Sequence, residues 1–108
     1  MSLADNIRNR LATNIERDHA LNPQETTELA MIATESEFMV RNHVGEAPVP
    51  EIILELAGYE VARELYTRRD APGGVLSTFG DVGPVRLARD PMRAAYPILA
   101  PYLKGGFA

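Results

Sequence analysis

The sequence predicts an all-α domain, bundle-like, built from four main helices. Three observations carry that expectation. Apolar residues recur at three- and four-residue spacing over long stretches. Helix start and stop signals bracket those stretches at Asn22-Pro23, Gly45, Pro50 and Asp90-Pro91. Strand-like runs are confined to one segment, about 70–89, between the third and fourth helices.

The first helix is expected to be short, from Leu3 to about Ala12, with Leu3, Ile7 and Leu11 on one face; a polar stretch anchored by Ile15 follows. The second helix has clear punctuation. Asn22 suits the N-cap, and Pro23 suits the first helical position, where its missing N–H costs nothing. Glu25 and Glu28 lie near the positive end of the helix dipole. Leu29, Ile32, Ala33, Ser36, Met39 and Val40 form the inward stripe, and Gly45 ends the helix. Met31 and Phe38 fall on the opposite face, a heptad apart, as in a helix buried on two sides within the subunit or one that makes a subunit contact.

A third helix starts near Pro50 and runs to about Arg69. Leu54, Ala57, Gly58, Val61 and Leu65 make one stripe, and Ile52, Leu56, Tyr59 and Tyr66 a second. A helix apolar on two sides belongs at the centre of a bundle. Gly58 costs about 1 kcal/mol relative to Ala in a helix interior, which close approach of another helix would justify.

The segment 70–89 reads as a long loop or a weak β-hairpin. Val75-Leu76-Ser77-Thr78-Phe79 and Pro84-Val85-Arg86-Leu87 flank Gly80-Asp81-Val82-Gly83, and Pro84 favours an edge or irregular path. The fourth helix is expected to start with Asp90 as N-cap and Pro91 in its first turn, with Met92, Ala95, Tyr96, Leu99 and Leu103 facing inward and Pro97 kinking it. Core candidates are Leu29, Ile32, Met39, Leu54, Val61, Leu65, Met92, Tyr96 and Leu99.

A length of 108 residues suits a single domain with a modest core. The absence of cysteine excludes disulfides, thiolate chemistry and cysteine-based zinc sites. No apolar run approaches the ~18 residues that span a bilayer, and the first residues lack a secretory pattern, so no membrane association and a cytosolic start are expected. Charge is unevenly placed. Residues 1–64 carry twelve acids against five Lys/Arg, a net of −7; residues 65–108 carry three against six, a net of +3, which together give the overall −4. Such polarity suits a subunit whose basic end meets the acidic flank of a neighbour, favouring orientation and association rate more than affinity.

Catalytic chemistry is not expected. His19 and His43 have no partner at metal-ligand spacing and suit surface or capping roles. Ser2, Ser36 and Ser77 lack a nucleophile-elbow context. Gly73-Gly74 is not followed by the Lys-Ser/Thr of a phosphate loop. No catalytic, cofactor or metal residues are assigned.

Several features together resemble a known family. A short helix precedes a long amphipathic one, from Asn22 to His43. A Val49-Pro50-Glu51 start leads to a helix ending Glu64-Leu65-Tyr66-Thr67-Arg68-Arg69-Asp70-Ala71-Pro72-Gly73-Gly74. A loop leads on to Val85-Arg86-Leu87-Ala88-Arg89-Asp90-Pro91, and the chain closes with Pro97-Ile98-Leu99-Ala100-Pro101-Tyr102. The chain thus resembles the head–tail connector (adaptor, or head-completion) proteins of long-tailed double-stranded DNA bacteriophages and prophages, most closely over residues 64–102.

The resemblance implies a structural virion protein at the head–tail junction, assembled in the host cytoplasm. Its subunits would form a closed homo-oligomeric ring of about a dozen beneath the portal protein, through heterologous interfaces that close by rotation. DNA would pass through the centre without sequence-specific binding, and the ring would dock the next connector or tail-completion protein. The rival is a generic small helical interaction module, antitoxin-like or a regulator's partner domain; a helix-turn-helix DNA binder fits poorly because the Pro50 helix is acidic. Candidate interface residues are Met31, Phe38, Val75, Leu76, Phe79, Arg86, Arg89 and Arg93, with Glu28, Glu35 and Glu37 on the acidic side. Val75, Leu76 and Phe79 are expected to order only on assembly.

Overall fold

A computed structural model describes residues 2–70 and 90–103. The described chain is all-α: α1 (Leu3–Glu16), α2 (Pro23–Val44), α3 (Glu51–Asp70) and a short α4 (Tyr96–Leu99) that runs into a 3-10 turn (Ala100–Tyr102). The helices pack against one another, and α3 is central, touching α1, α2 and α4.

α1 begins with a capping box. The Ser2 hydroxyl accepts from the Asp5 N–H at 3.1 Å, and the Asp5 carboxylate accepts from the Ser2 N–H at 3.3 Å. These hydrogen bonds hold the Asp5 carboxyl below its ordinary range. The helix ends at Glu16, a turn beyond the expected Ala12. Thr13 and Asn14 are weak helix formers, but Ile15 extends the stripe of Leu3, Ile7 and Leu11 and all four are buried, so burial overrides propensity.

α2 is delimited as its sequence predicts. Asn22 caps it, its side chain accepting from the Glu25 N–H at 2.8 Å while Glu25 reaches back to the Asn22 N–H at 3.1 Å. The other Glu25 carboxylate oxygen lies 3.1 Å from His19 Nε2, tying the α1–α2 connection to the start of α2. Gly45 closes the helix at φ 58°, and its N–H donates to the Arg41 carbonyl. Leu29, Ile32, Ala33, Ser36 and Val40 are buried, and Met39 packs half-buried against them. Ser36 is tolerated inside because its hydroxyl donates to the Ile32 carbonyl at 2.9 Å.

In α3 the first stripe is buried from Leu54 through Ala57 and Gly58 to Val61, while Leu65 is half-buried. Of the second stripe, Tyr59 and Tyr66 pack against the core and Ile52 is exposed.

The C-terminal region departs from expectation. No continuous helix starts at Asp90; residues 91–95 form turns, and α4 begins only at Tyr96. Pro97 supplies the reason. Its ring would clash with a carbonyl four residues back and it offers no N–H, so a helix running through it is strongly disfavoured, while one can begin just before it. Pro97 therefore starts α4 instead of kinking a longer helix. Asp90 still caps, its Oδ1 accepting from the Met92 N–H at 2.9 Å, but what it caps is a stack of turns. Met92, Ala95 and Leu99 enter the core as expected. Tyr96 does not; it is 39 % exposed, because its hydroxyl reaches out to Asp90.

Candidate functional site

Three surfaces of the bundle have enough character to act. The first is the outer face of α2. With its inward stripe committed to the core, Met31 and Phe38 are left 62 % and 69 % exposed. Beside Phe38 lies an open groove of about 430 Å³ lined by Thr34, Glu37, Arg41 and Asn42. Its charges are organised: Arg41 Nε donates to Glu37 at 2.7 Å, and Arg41 Nη2 lies 3.5 Å from Glu51 at the start of α3. The Glu37 carboxylate, with Glu51, raises the Arg41 guanidinium above its ordinary value. Two large apolar side chains a heptad apart, flanked by satisfied charges, make a surface suited to a protein partner.

The second surface is built where the C-terminal segment meets α2 and α3. The Tyr96 hydroxyl donates to Asp90 Oδ2 at 2.5 Å, and the Tyr96 ring lies 4.9 Å from the His43 ring, tilted by 51°. The hydrogen bonds from Tyr96 and from the Met92 N–H, with the nearby positive charge of Arg68, hold the Asp90 carboxyl below its ordinary range, and the same contact pushes the Tyr96 phenol up. Arg68 donates from Nε to Glu64 at 3.2 Å, while its buried Nη2 has no hydrogen-bond partner among the described residues. This cluster pins the segment to the bundle and leaves Arg93 exposed beside it.

The third surface is a polar groove of about 470 Å³ between α1 and α3. α1 contributes Asn6, Asn9, Arg10, Thr13 and Asn14, its C-cap contributes Arg17, and α3 contributes Glu55 and Tyr59. Arg10 donates to Glu55 across the groove, and the Arg63 guanidinium stands 5.7 Å from the centre of the Tyr59 ring.

Of the interface residues read from the sequence, Met31 and Phe38 are on the surface of α2 and Arg93 on that of the C-terminal segment. Val75, Leu76, Phe79, Arg86 and Arg89 lie outside the described residues, as does the expected loop or hairpin. On the acidic side, Glu35 is exposed and Glu37 is engaged with Arg41. Sequence reading missed the α1 groove, although its signal was present: residues 6–15 contain two arginines and no acid. It also missed the Tyr96–Asp90 contact, which depends on a turn and not on helical spacing. Among the described residues, no three His, Asp or Glu side chains group as a metal-binding set, and no helix is long and apolar enough to cross a membrane. Comparison of the chain with protein-family models, with curated proteins and with solved structures finds no match.

Proposed function

We propose that this chain is a structural subunit of a phage head–tail connector. Copies of it close into a ring beneath the portal protein, lengthen the DNA channel and dock the next connector or tail-completion protein. The subunit performs no bond chemistry and takes no cofactor. The observation that carries this reading is the outer face of α2. The core closes without Met31 and Phe38, yet both stay largely in water. Isolated exposed apolar residues are ordinary, but a large aromatic and a methionine at heptad spacing on a 22-residue helix are what a subunit contact uses. The resemblance over residues 64–102 supports the identity of the assembly.

The test is direct. Purified full-length protein at high concentration is examined by electron microscopy and sedimentation, alone and with portal protein. Rings, or caps on the portal, are expected. A monomer at all concentrations that also ignores the portal overturns the reading.

A further inference from the structure

We infer that the α1–α3 groove is the face along which the phosphate backbone of double-stranded DNA runs. The inference rests on the connector reading and adds to it which side of the subunit meets the channel.

The lining chemistry points to phosphate. Asn6, Asn9, Thr13, Asn14, Arg17 and Tyr59 offer amide, hydroxyl, guanidinium and phenol groups, the side-chain types that donate to phosphate oxygens irrespective of base sequence. They lie on a single ridge of α1 with one aromatic from α3. From Asn6 to Arg17 the ridge extends about 17 Å along the helix axis, enough to meet successive phosphates on one strand. Of the chain's fifteen acids, Glu16 alone falls within the ridge's span from Asn6 to Arg17, and it is not one of the groove's lining residues. Glu55 is the one acid in the groove, and Arg10 neutralises it.

The balance of charge suits passage over capture. With Arg10 and Glu55 cancelling, Arg17 leaves the groove a net charge of about +1 per subunit. Tight DNA binding comes from neutralising many phosphates and releasing their counterions. A wall of neutral donors with one net positive charge does little of that, so DNA is neither repelled nor held. The α2 face differs: Met31 and Phe38 offer nothing to a phosphate, Arg41 is engaged by Glu37 and Glu51, and Glu35 opposes one.

The chain has no cysteine, which makes the test clean. Single cysteines are placed at Asn9 or Thr13 in the groove, and at Glu46 or Ala94, exposed elsewhere. Each full-length variant carries a photo-activated crosslinker and is mixed with linear double-stranded DNA of random sequence at low salt. Several-fold more crosslinking from Asn9→Cys and Thr13→Cys than from Glu46→Cys and Ala94→Cys is expected. In the wild-type background, Arg17→Ala lowers the salt slope of DNA affinity by about 1. Equal or greater crosslinking from the control positions overturns the inference, as does none from any position. Micrographs of the same samples report on the connector reading separately. Groove crosslinks without rings retire the ring and keep the groove; rings crosslinked from the control positions do the reverse.

Discussion

Ile7 occupies the space that a β-carbon on Gly58 would need: built onto the α3 backbone, that carbon would sit 3.0 Å from Ile7 Cγ1 and closer still to Cδ1. Ile7 is fully buried, so its side chain can yield only by moving against its core neighbours. Gly58 is thus the point where α1 is let down onto α3, and the cost of glycine in a helix is offset by that approach. Gly58→Ala should gain up to about 1 kcal/mol in helix propensity and lose about 1–3 kcal/mol to overpacking, for a net loss. Ile7→Val removes the offending methyl and should be less costly in the Gly58→Ala background than in wild type. Urea denaturation of the four proteins in this cycle measures the coupling; additive losses would show that the two sites do not share the space.

Truncation separates the core from the outer face of α2. Leu29→Ala and Leu11→Ala should each cost about 2–5 kcal/mol, since both side chains are buried. Met39→Ala should cost less, because Met39 is only half-buried. Phe38→Ala should stay within about 0.5 kcal/mol of wild type in the isolated subunit and weaken assembly. Thermal melts give the first set of values and light scattering the last. Loss of monomer stability in Phe38→Ala would move that residue from interface to core.

The two capping boxes are separable in the same way. Asn22→Ala should cost about 1 kcal/mol, because it orphans the Glu25 N–H and releases the reciprocal bond. Asn22→Gly should cost only a few tenths of that unit. Equal losses in the two variants would mean that Asn22 acts through something other than its cap.

Much of this was legible in the sequence, and unevenly so. α2 and α3 were readable because each is bracketed by residues with one strong local preference, Asn22-Pro23 and Gly45 for one, Pro50 for the other, and because their stripes follow helical spacing. Gly58 as a site of close approach was readable for the same local reason. The end of α1 was not, since Thr13 and Asn14 argue against helix and only the burial of Ile15 beneath its neighbours decides otherwise. The C-terminal segment misled because Asp90-Pro91 is a good helix start, while the later Pro97 strongly disfavours the helix it announces. At the surface, periodicity placed Met31 and Phe38 opposite the inward stripe but allowed a helix buried on two sides; that this face stays exposed is decided by the packing. The α1 groove needs α3 beside it, and composition reads as one dimension what the fold makes into a face.

The Asp90–Tyr96 contact should shape stability at both ends of the pH range. Asp90 titrates below its unfolded value of about 3.9, so its contribution is present above that pH and is lost as pH falls through the folded value. Tyr96 titrates above about 10, so its contribution is present below that pH and is lost as pH rises through its folded value. Both groups are more than a third exposed, so the contact is worth about 1 kcal/mol or less after solvent screening. Tyr96→Phe should flatten the alkaline fall and also shrink the acid fall, because the folded Asp90 carboxyl then titrates closer to its unfolded value; the part due to Asp5 should remain. Melts from pH 2 to 7 and from 9 to 11 check both arms. An unchanged alkaline arm in Tyr96→Phe would show that the phenol is not held by Asp90.

Assembly itself should respond to salt. The described residues put Arg93 and Glu35 on the surface of different elements, which is how a ring with non-identical contact faces presents opposite charges. Ion pairs at an interface rim steer encounter more than they hold the complex, and at 0.1 M salt they are screened beyond about 10 Å. Raising ionic strength should therefore slow ring formation more than it lowers the final yield. Arg93→Glu and Glu35→Arg should each slow it as well, and the double reversal should recover much of the rate at low salt. Stopped-flow light scattering of the four proteins at low and high salt measures this. Recovery in the double reversal identifies Arg93 and Glu35 as facing each other across subunits. If each single reversal slows assembly and the double is slower still, the two residues meet different partners, and Arg93 is then assigned to the contact with the next connector protein.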